Sequence, residues 1–259
     1  MIVSDKYKYV FIGLPFSASS AISKDLCDKY EGKPYLRKHS LYSDFKKQTN
    51  KSKLKYRVFA VLRNPMEITI TSYEKLKSNP NNIYTNSILF KENGGHISKK
   101  QRKKYNFIKK NQATFQEFFL EFYKYPYDNL ASLTIDDCDF IIRYDKLQED
   151  YLKVLKKIGV KNPTELPVKN KSKTKLSDIT SYFNSEIRER SVSVFGPFMM
   201  KYNFKFPKNY GETKVHKKYI IKFKVLGFLR KLFYKFRKQT INKSSKETIY
   251  GNLQKEDKA

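Results

Sequence analysis

The amino-acid sequence predicts an α/β fold: a central, mostly parallel sheet flanked by helices in three layers, followed by a basic helical tail. Three observations carry this. Apolar runs of strand length recur at residues 7–14, 56–62 and 138–144. A stretch with helical spacing follows each of them, and such alternation builds parallel sheets. Beyond residue 207 the composition turns strongly basic, with apolar residues at helical spacing.

The elements follow in order. Residues 7–14 read as the first strand and 18–30 as the first helix. A short strand is expected at 35–39, and the next at 56–62. Pro65 opens a helix, because its missing N–H costs nothing in a first helical turn. Ser78-Asn79-Pro80-Asn81-Asn82 ends it. Residues 81–112 read as a mobile insertion, rich in Lys99, Lys100, Arg102, Lys103, Lys104, Lys109 and Lys110. That cluster reads either as a solvated helix face or as a contact for an anionic acceptor. Residues 114–123 read as a helix with Phe115, Phe118, Phe119 and Phe122 at core spacing. After the strand at 138–144 comes a helix over 150–158, closed by Gly159. Residues 177–202 start helical and turn irregular around Gly196-Pro197. Residues 1–207 are expected to form the α/β domain, and 208–259 a basic amphipathic tail with a disordered end.

Composition narrows the function. The 259 residues carry 54 Lys and Arg against 25 Asp and Glu, a net charge of +29. That balance favours anionic partners such as nucleotides, acidic glycans or lipid headgroups. No recognisable nucleic-acid-binding module accompanies the charge, so nucleic acid is not the expected partner. Cys27 and Cys138 form neither a metal motif nor a disulfide framework, so a reduced, cytoplasmic setting and no metal are expected. The start of the chain does not read as a signal peptide, and no segment is long and apolar enough to span a bilayer. Residues 214–238 contain no acidic residue, and Val225, Phe228, Leu229, Leu232, Phe233 and Phe236 recur at helical spacing. This reads as a helix for an anionic membrane surface, or as one that docks on the domain or on a partner.

Two segments carry chemistry. In Tyr9-Val10-Phe11-Ile12-Gly13-Leu14-Pro15-Phe16-Ser17-Ala18-Ser19-Ser20, a strand ends in a turn of small hydroxyl residues that opens a helix. A helix N-terminus offers unpaired N–H groups and a positive dipole end to an anion. The Gly-Lys-Ser/Thr ending of nucleotide hydrolases is absent. A serine-rich helix cap without a ligand fits the same residues. In the second segment, Val58-Phe59-Ala60-Val61-Leu62-Arg63-Asn64-Pro65, Arg63 ends a strand and Thr71 lies about two helical turns on. A guanidinium beside a hydroxyl suits a phosphate, and a structural ion pair at a strand end is the other reading.

Taken together, these segments resemble the sulfotransferase superfamily. Pro15-Phe16-Ser17-Ala18-Ser19-Ser20 is similar to its 5'-phosphosulfate loop. Arg63-Asn64-Pro65 with Thr71 and Tyr73 is similar to its 3'-phosphate segment. Leu36-Arg37-Lys38-His39-Ser40 resembles the strand end bearing a catalytic histidine. The run from Asp139 to Leu147 with Asp150 resembles the late strand and helix. The stretch Pro167-Val168-Lys169-Asn170-Lys171-Ser172-Lys173 resembles a basic loop that closes over the donor. The resemblance spans residues 7–206 and is nearer the glycan-modifying branch.

It implies a P-loop-like fold and transfer of a sulfonate from 3'-phosphoadenosine 5'-phosphosulfate to a hydroxyl, with a carbohydrate as the expected acceptor. It further implies His39 as catalytic base, and Ser17, Ala18, Ser19, Ser20, Arg63, Thr71, Lys171 and Ser172 as donor-binding residues. One position departs from the pattern: Phe16 stands where the family carries a lysine that contacts the transferring group. Arg37, Lys38 and Lys24 are the candidates to replace that charge. A non-catalytic descendant that binds nucleotide or glycan, or a membrane-associated basic binding protein, is the competing expectation.

Overall fold

The computed structural model describes residues 1–128, 130–167 and 179–236. The described residues of 1–64, 128–175 and 229–237 form one compact unit, and those of 65–127 and 176–228 form a second.

The first unit is α/β. Its five strands are β1 (Ile2–Ser4), β2 (Tyr9–Ile12), β3 (Lys33–Pro34), β4 (Arg57–Leu62) and β5 (Phe140–Arg143), in the order β3-β1-β2-β4-β5. β2, β4 and β5 run parallel, whereas β1 pairs antiparallel with both β2 and β3. The sheet is therefore mixed. The expected first strand at 7–14 is the second arm of a hairpin with β1, whose three residues are too few to register as a periodic run. The short strand expected at 35–39 lies earlier, at Lys33–Pro34, and residues 37–40 form a turn instead.

All four residues of β2 are buried, as are five of the six in β4, so the central strands read as continuous apolar runs. Helices α1 (Ser19–Lys29) and α6 (Leu147–Lys157) share one core with the sheet, through Ile22, Leu26, Tyr151, Val154 and Leu155 against Tyr9, Phe11, Phe59, Val61 and Ile142. A buried polar contact joins these helices. The Tyr151 hydroxyl donates to Asp25 at 2.8 Å, and Lys29 pairs with the same carboxylate at 2.9 Å. A buried carboxylate held in this way keeps its charge partnered. The third helix of the unit, α2 (Tyr42–Gln48), starts where the Leu41 N–H donates to the Asp44 side chain at 3.0 Å.

The second unit is helical. It contains α3 (Pro65–Ser78), α4 (Lys99–Asn111), α5 (Phe115–Phe122), α7 (Ile179–Tyr182) and α8 (Arg188–Lys201). Its core is aromatic: Phe115, Phe118, Phe119, Phe183 and Phe195 are buried against Tyr73, Met66 and Ile70. Edge-to-face pairs such as Phe115–Phe183, with centroids 4.9 Å apart, add directional attraction to the burial. Residues 81–112 contribute Tyr84, Leu89, Ile97 and Ile108 to this core. α4 is capped by Ser98 and α5 by Thr114, each in a reciprocal capping box.

α8 runs unbroken through Gly196-Pro197, contrary to the irregularity expected there. Packing overrides the local signal. Gly196, Pro197 and Phe198 are all buried, and a Cβ on Gly196 would meet Val215 at 2.4 Å. The Tyr127 N–H donates to the Val194 carbonyl at 2.7 Å, inside the turn that the proline disturbs. The last helix among the described residues, α9 (Lys217–Phe236), takes up most of the basic tail expected to be helical. Its first residues count with the helical unit, and those from Leu229 with the α/β unit.

Lys104 of α4 lies among the rings of Phe118, Phe122 and Tyr123, 4.8–5.4 Å from their centroids. Burial, with some help from Lys100, lowers its pKa to about 8. Between that value and the ordinary 10.5, the unfolded chain holds a proton that the folded chain has released, so this group makes stability rise with pH. Lys104→Met is expected to flatten that rise in urea midpoints measured from pH 7 to 10, relative to the parent.

Candidate functional site

The expected loop between β2 and α1 is present in the α/β unit. Phe16 and Ala18 both hold left-handed backbone, with φ of 61° and 52°. For residues other than glycine that conformation costs roughly 1–2 kcal/mol each. Ala18 is the N-cap of α1 and makes no side-chain cap, and the first turn of α1 contains no acidic residue. A left-handed residue followed by right-handed Ser19 is a backbone turn of the kind in which successive N–H groups can converge on an anion. The helix dipole adds to it.

Three neighbours fix this loop. β4 delivers Arg63, which is buried and donates from Nη1 to the Phe16 carbonyl at 2.9 Å. Its guanidinium stacks on the Tyr144 ring at 4.1 Å. The parallel register explains the stack: Leu62 lies opposite Arg143, so the next residues along, Arg63 and Tyr144, emerge side by side. Gly13 lets the remaining parts close up, since a Cβ there would sit 3.1 Å from both the Lys38 carbonyl and Ser19 Cβ.

The turn at 37–40 brings two more groups. It is closed by the Ser40 N–H bonding to the Arg37 carbonyl, by the Arg37 N–H bonding to Ser40 Oγ, and by the Met1 amine donating to the Arg37 and Lys38 carbonyls. Lys38 extends to α1 and donates from Nζ to Ser20 Oγ at 2.7 Å. His39 Nδ1 lies 2.6 Å from the Gly13 carbonyl. A carbonyl oxygen only accepts, so Nδ1 carries the proton and donates. In the neutral ring Nε2 is then the basic nitrogen.

The expected residues thus fall into several groups. Ser17, Ala18, Ser19, Ser20, Arg63 and His39 come together around one loop, all within the α/β unit. The Ser17 hydroxyl is turned inward and donates to the Pro15 carbonyl at 3.2 Å. Thr71 belongs to the helical unit, where its hydroxyl donates to the Glu67 carbonyl one turn back along α3. Lys171 and Ser172 lie outside the described residues. Of the three cations considered for the place left by Phe16, Lys38 reaches the first turn of α1, while Lys24 pairs with Asp28 at 2.9 Å. Sequence reasoning placed Tyr144 only within the late-strand segment and missed its stack on Arg63; the signal was an aromatic residue ending one parallel strand level with an arginine ending the next. Among the described residues, no group of His, Cys, Asp and Glu is placed to hold a metal ion.

The helical unit carries a separate groove of about 510 Å³, lined by Tyr84, Phe90, Lys99, Arg102, Lys103 and Asn106. Three of these are cations near the start of α4, whose first turn holds no acidic residue. Cations at the positive end of a helix cost stability, by about 0.3–1 kcal/mol each. Arg102 pairs with Glu92 and covers the face of Phe90 at 3.9 Å. Its Nε is buried without a hydrogen-bond partner among the described residues.

No family model, curated protein or solved structure matches this chain.

The backbone at Ala18 makes a direct test of the loop geometry. Ala18→Gly is expected to fold at least as well as the parent, because glycine adopts positive φ without penalty. Ala18→Val places a β-branched residue in the left-handed region and is expected to lower stability by about 1–2 kcal/mol in urea unfolding.

Proposed function

We propose that this chain is a sulfotransferase that moves a sulfonate from 3'-phosphoadenosine 5'-phosphosulfate to a hydroxyl, with a carbohydrate as acceptor. One observation carries the reading. Lys38 brings an ammonium to the uncapped first turn of α1, beside a backbone turn of the kind in which N–H groups can converge on an anion. A cation at the positive end of a helix is unfavourable on its own and becomes favourable when an anion lies between them. Lys38 thereby supplies the charge that Phe16 cannot. The three-layer, P-loop-like fold is part of the same reading, supported by the parallel trio β2-β4-β5 and by the loop that follows β2.

The chemistry follows from these positions. The acceptor oxygen attacks sulfur in line with the bond to the leaving phosphate. Nε2 of His39 takes the hydroxyl proton, and the proton on Nδ1, held by the Gly13 carbonyl, keeps the ring in that tautomer. The electron pair of the breaking S–O bond goes to the departing 5'-phosphate. Its growing charge is met by the N–H groups of the loop and by Lys38. Arg63 acts on the loop itself by fixing the Phe16 carbonyl. Ser20 holds Lys38, and the Ser17 hydroxyl braces the turn. The net charge of +29 supports an acceptor that bears negative charge of its own, such as an acidic glycan. A reducing, cytoplasmic setting suits Cys27 and Cys138, both of which are free thiols.

Titration with 3'-phosphoadenosine 5'-phosphate tests the binding half. The parent is expected to bind, and Lys38→Ala to bind about 10–100-fold more weakly, the worth of one charge-assisted hydrogen bond. Absence of binding by the intact protein would remove the assignment. His39→Gln tests the chemical half: product nucleotide is expected to bind as in the parent, while sulfonate transfer falls about 10²–10⁴-fold. Binding without any transfer by the parent itself would leave a non-catalytic binder of the same ligand.

A further inference from the structure

The helix α9 carries an exposed apolar stripe with a lysine edge, and nothing in the proposed transfer chemistry uses it. Ile221, Val225, Phe228, Leu229 and Phe236 expose 52–73% of their surface. Their spacing is helical, so at 100° per residue they fall on one side of the helix. Phe223, on the opposite side, is the buried residue of α9. Lys217, Lys224, Lys231 and Lys235 recur at intervals of seven, seven and four, which places them along one border of the stripe. Lys217, Lys224 and Lys235 are exposed there, and Lys231 reaches Asp136 at 3.3 Å. Water-facing helices do not place large aromatic and aliphatic residues at such exposure, and apolar area of this kind marks a binding surface.

We propose that α9 lies in the interface of an anionic lipid bilayer, with the Ile221–Phe236 stripe among the acyl chains and the bordering lysines on the phosphate headgroups. The sign and placement of charge select this occupant. A second copy of the chain would bring the same lysine border against itself, and an apolar protein groove would leave those charges unused. A lipid surface accepts both parts at once, since each basic residue near an anionic leaflet contributes about 1 kcal/mol in addition to the apolar burial. No helix among the described residues is long and apolar enough to cross a membrane, so α9 rests on the surface and does not span it.

Cosedimentation of the full chain with phosphatidylcholine vesicles, with and without phosphatidylserine, tests this. Binding to the serine-containing vesicles is expected, and it should weaken as salt rises. Phe228→Ser with Phe236→Ser is expected to lower that binding about tenfold or more, because two buried aromatic side chains are lost. Lys217→Gln with Lys224→Gln should weaken binding to anionic vesicles and reduce its salt dependence. All three proteins should keep the same thermal unfolding and give the same titration with 3'-phosphoadenosine 5'-phosphate as one another. Failure of the parent to bind anionic vesicles, or undiminished binding by the double serine variant, would overturn the proposal. So would a concentration-dependent dimer that the serine substitutions break and that vesicles do not compete for.

Discussion

The loop after β2 depends on one hydrogen bond from Arg63 to the carbonyl of Phe16. Two residues of that loop hold backbone that L-amino acids avoid. Such strain persists only where surrounding contacts over-determine it. Here a buried guanidinium, wedged on the Tyr144 ring, grips the carbonyl, and Gly13 admits the neighbouring turn. The chain stores conformational energy at the point where α1 opens its N–H groups, and the sheet beneath holds that energy in place. Arg63 is read from sequence as a ligand for a distal phosphate. In the structure its guanidinium donates to the Phe16 carbonyl and stacks on Tyr144, so it also braces the loop.

The helical unit solves a different problem. It has no sheet to cover, so it fills its centre with rings, and capping boxes start α4 and α5 where the helical spacing begins. Against that consistency the first turn of α4 stands out. Its cations oppose the dipole, repel one another and line a groove, and Arg102 Nε is buried there without a partner. Local rules are obeyed through most of the unit and broken at this turn. Natural sequences tend to depart from such rules at sites that bind something.

Much of this was legible in the residues. Continuous apolar runs gave β2 and β4 because buried parallel strands need no polar face. Pro65 marked the start of α3, and the phenylalanine spacing marked α5. The parts that escaped depend on long-range pairing. β1 is three residues long and exists because β2 and β3 flank it. Tyr144 matters only once two strands are in register. The helix through Gly196-Pro197 contradicts local propensity and is upheld by Val215 and by the close packing around it. Around the loop, that Lys38 reaches Ser20 while Lys24 pairs with Asp28 depends on how the 37–40 turn folds back, which local spacing does not show.

That fold-back gives the site a mechanical property. In a one-piece loop the cation and the backbone cradle move together. Here the ammonium hangs from the edge of the sheet, beyond a two-residue strand whose register with β1 rests on the Ile2–Pro34 and Val3–Lys33 pairs. A slip of one residue along a strand is about 3.3 Å. From the 2.7 Å contact with Ser20, that displacement would carry the charge out of hydrogen-bonding range, and it would also pull on Gly13, which packs against the Lys38 carbonyl and bonds His39. The two-residue β3 and the Met1 amine therefore share the task of holding the Lys38 ammonium at the first turn of α1.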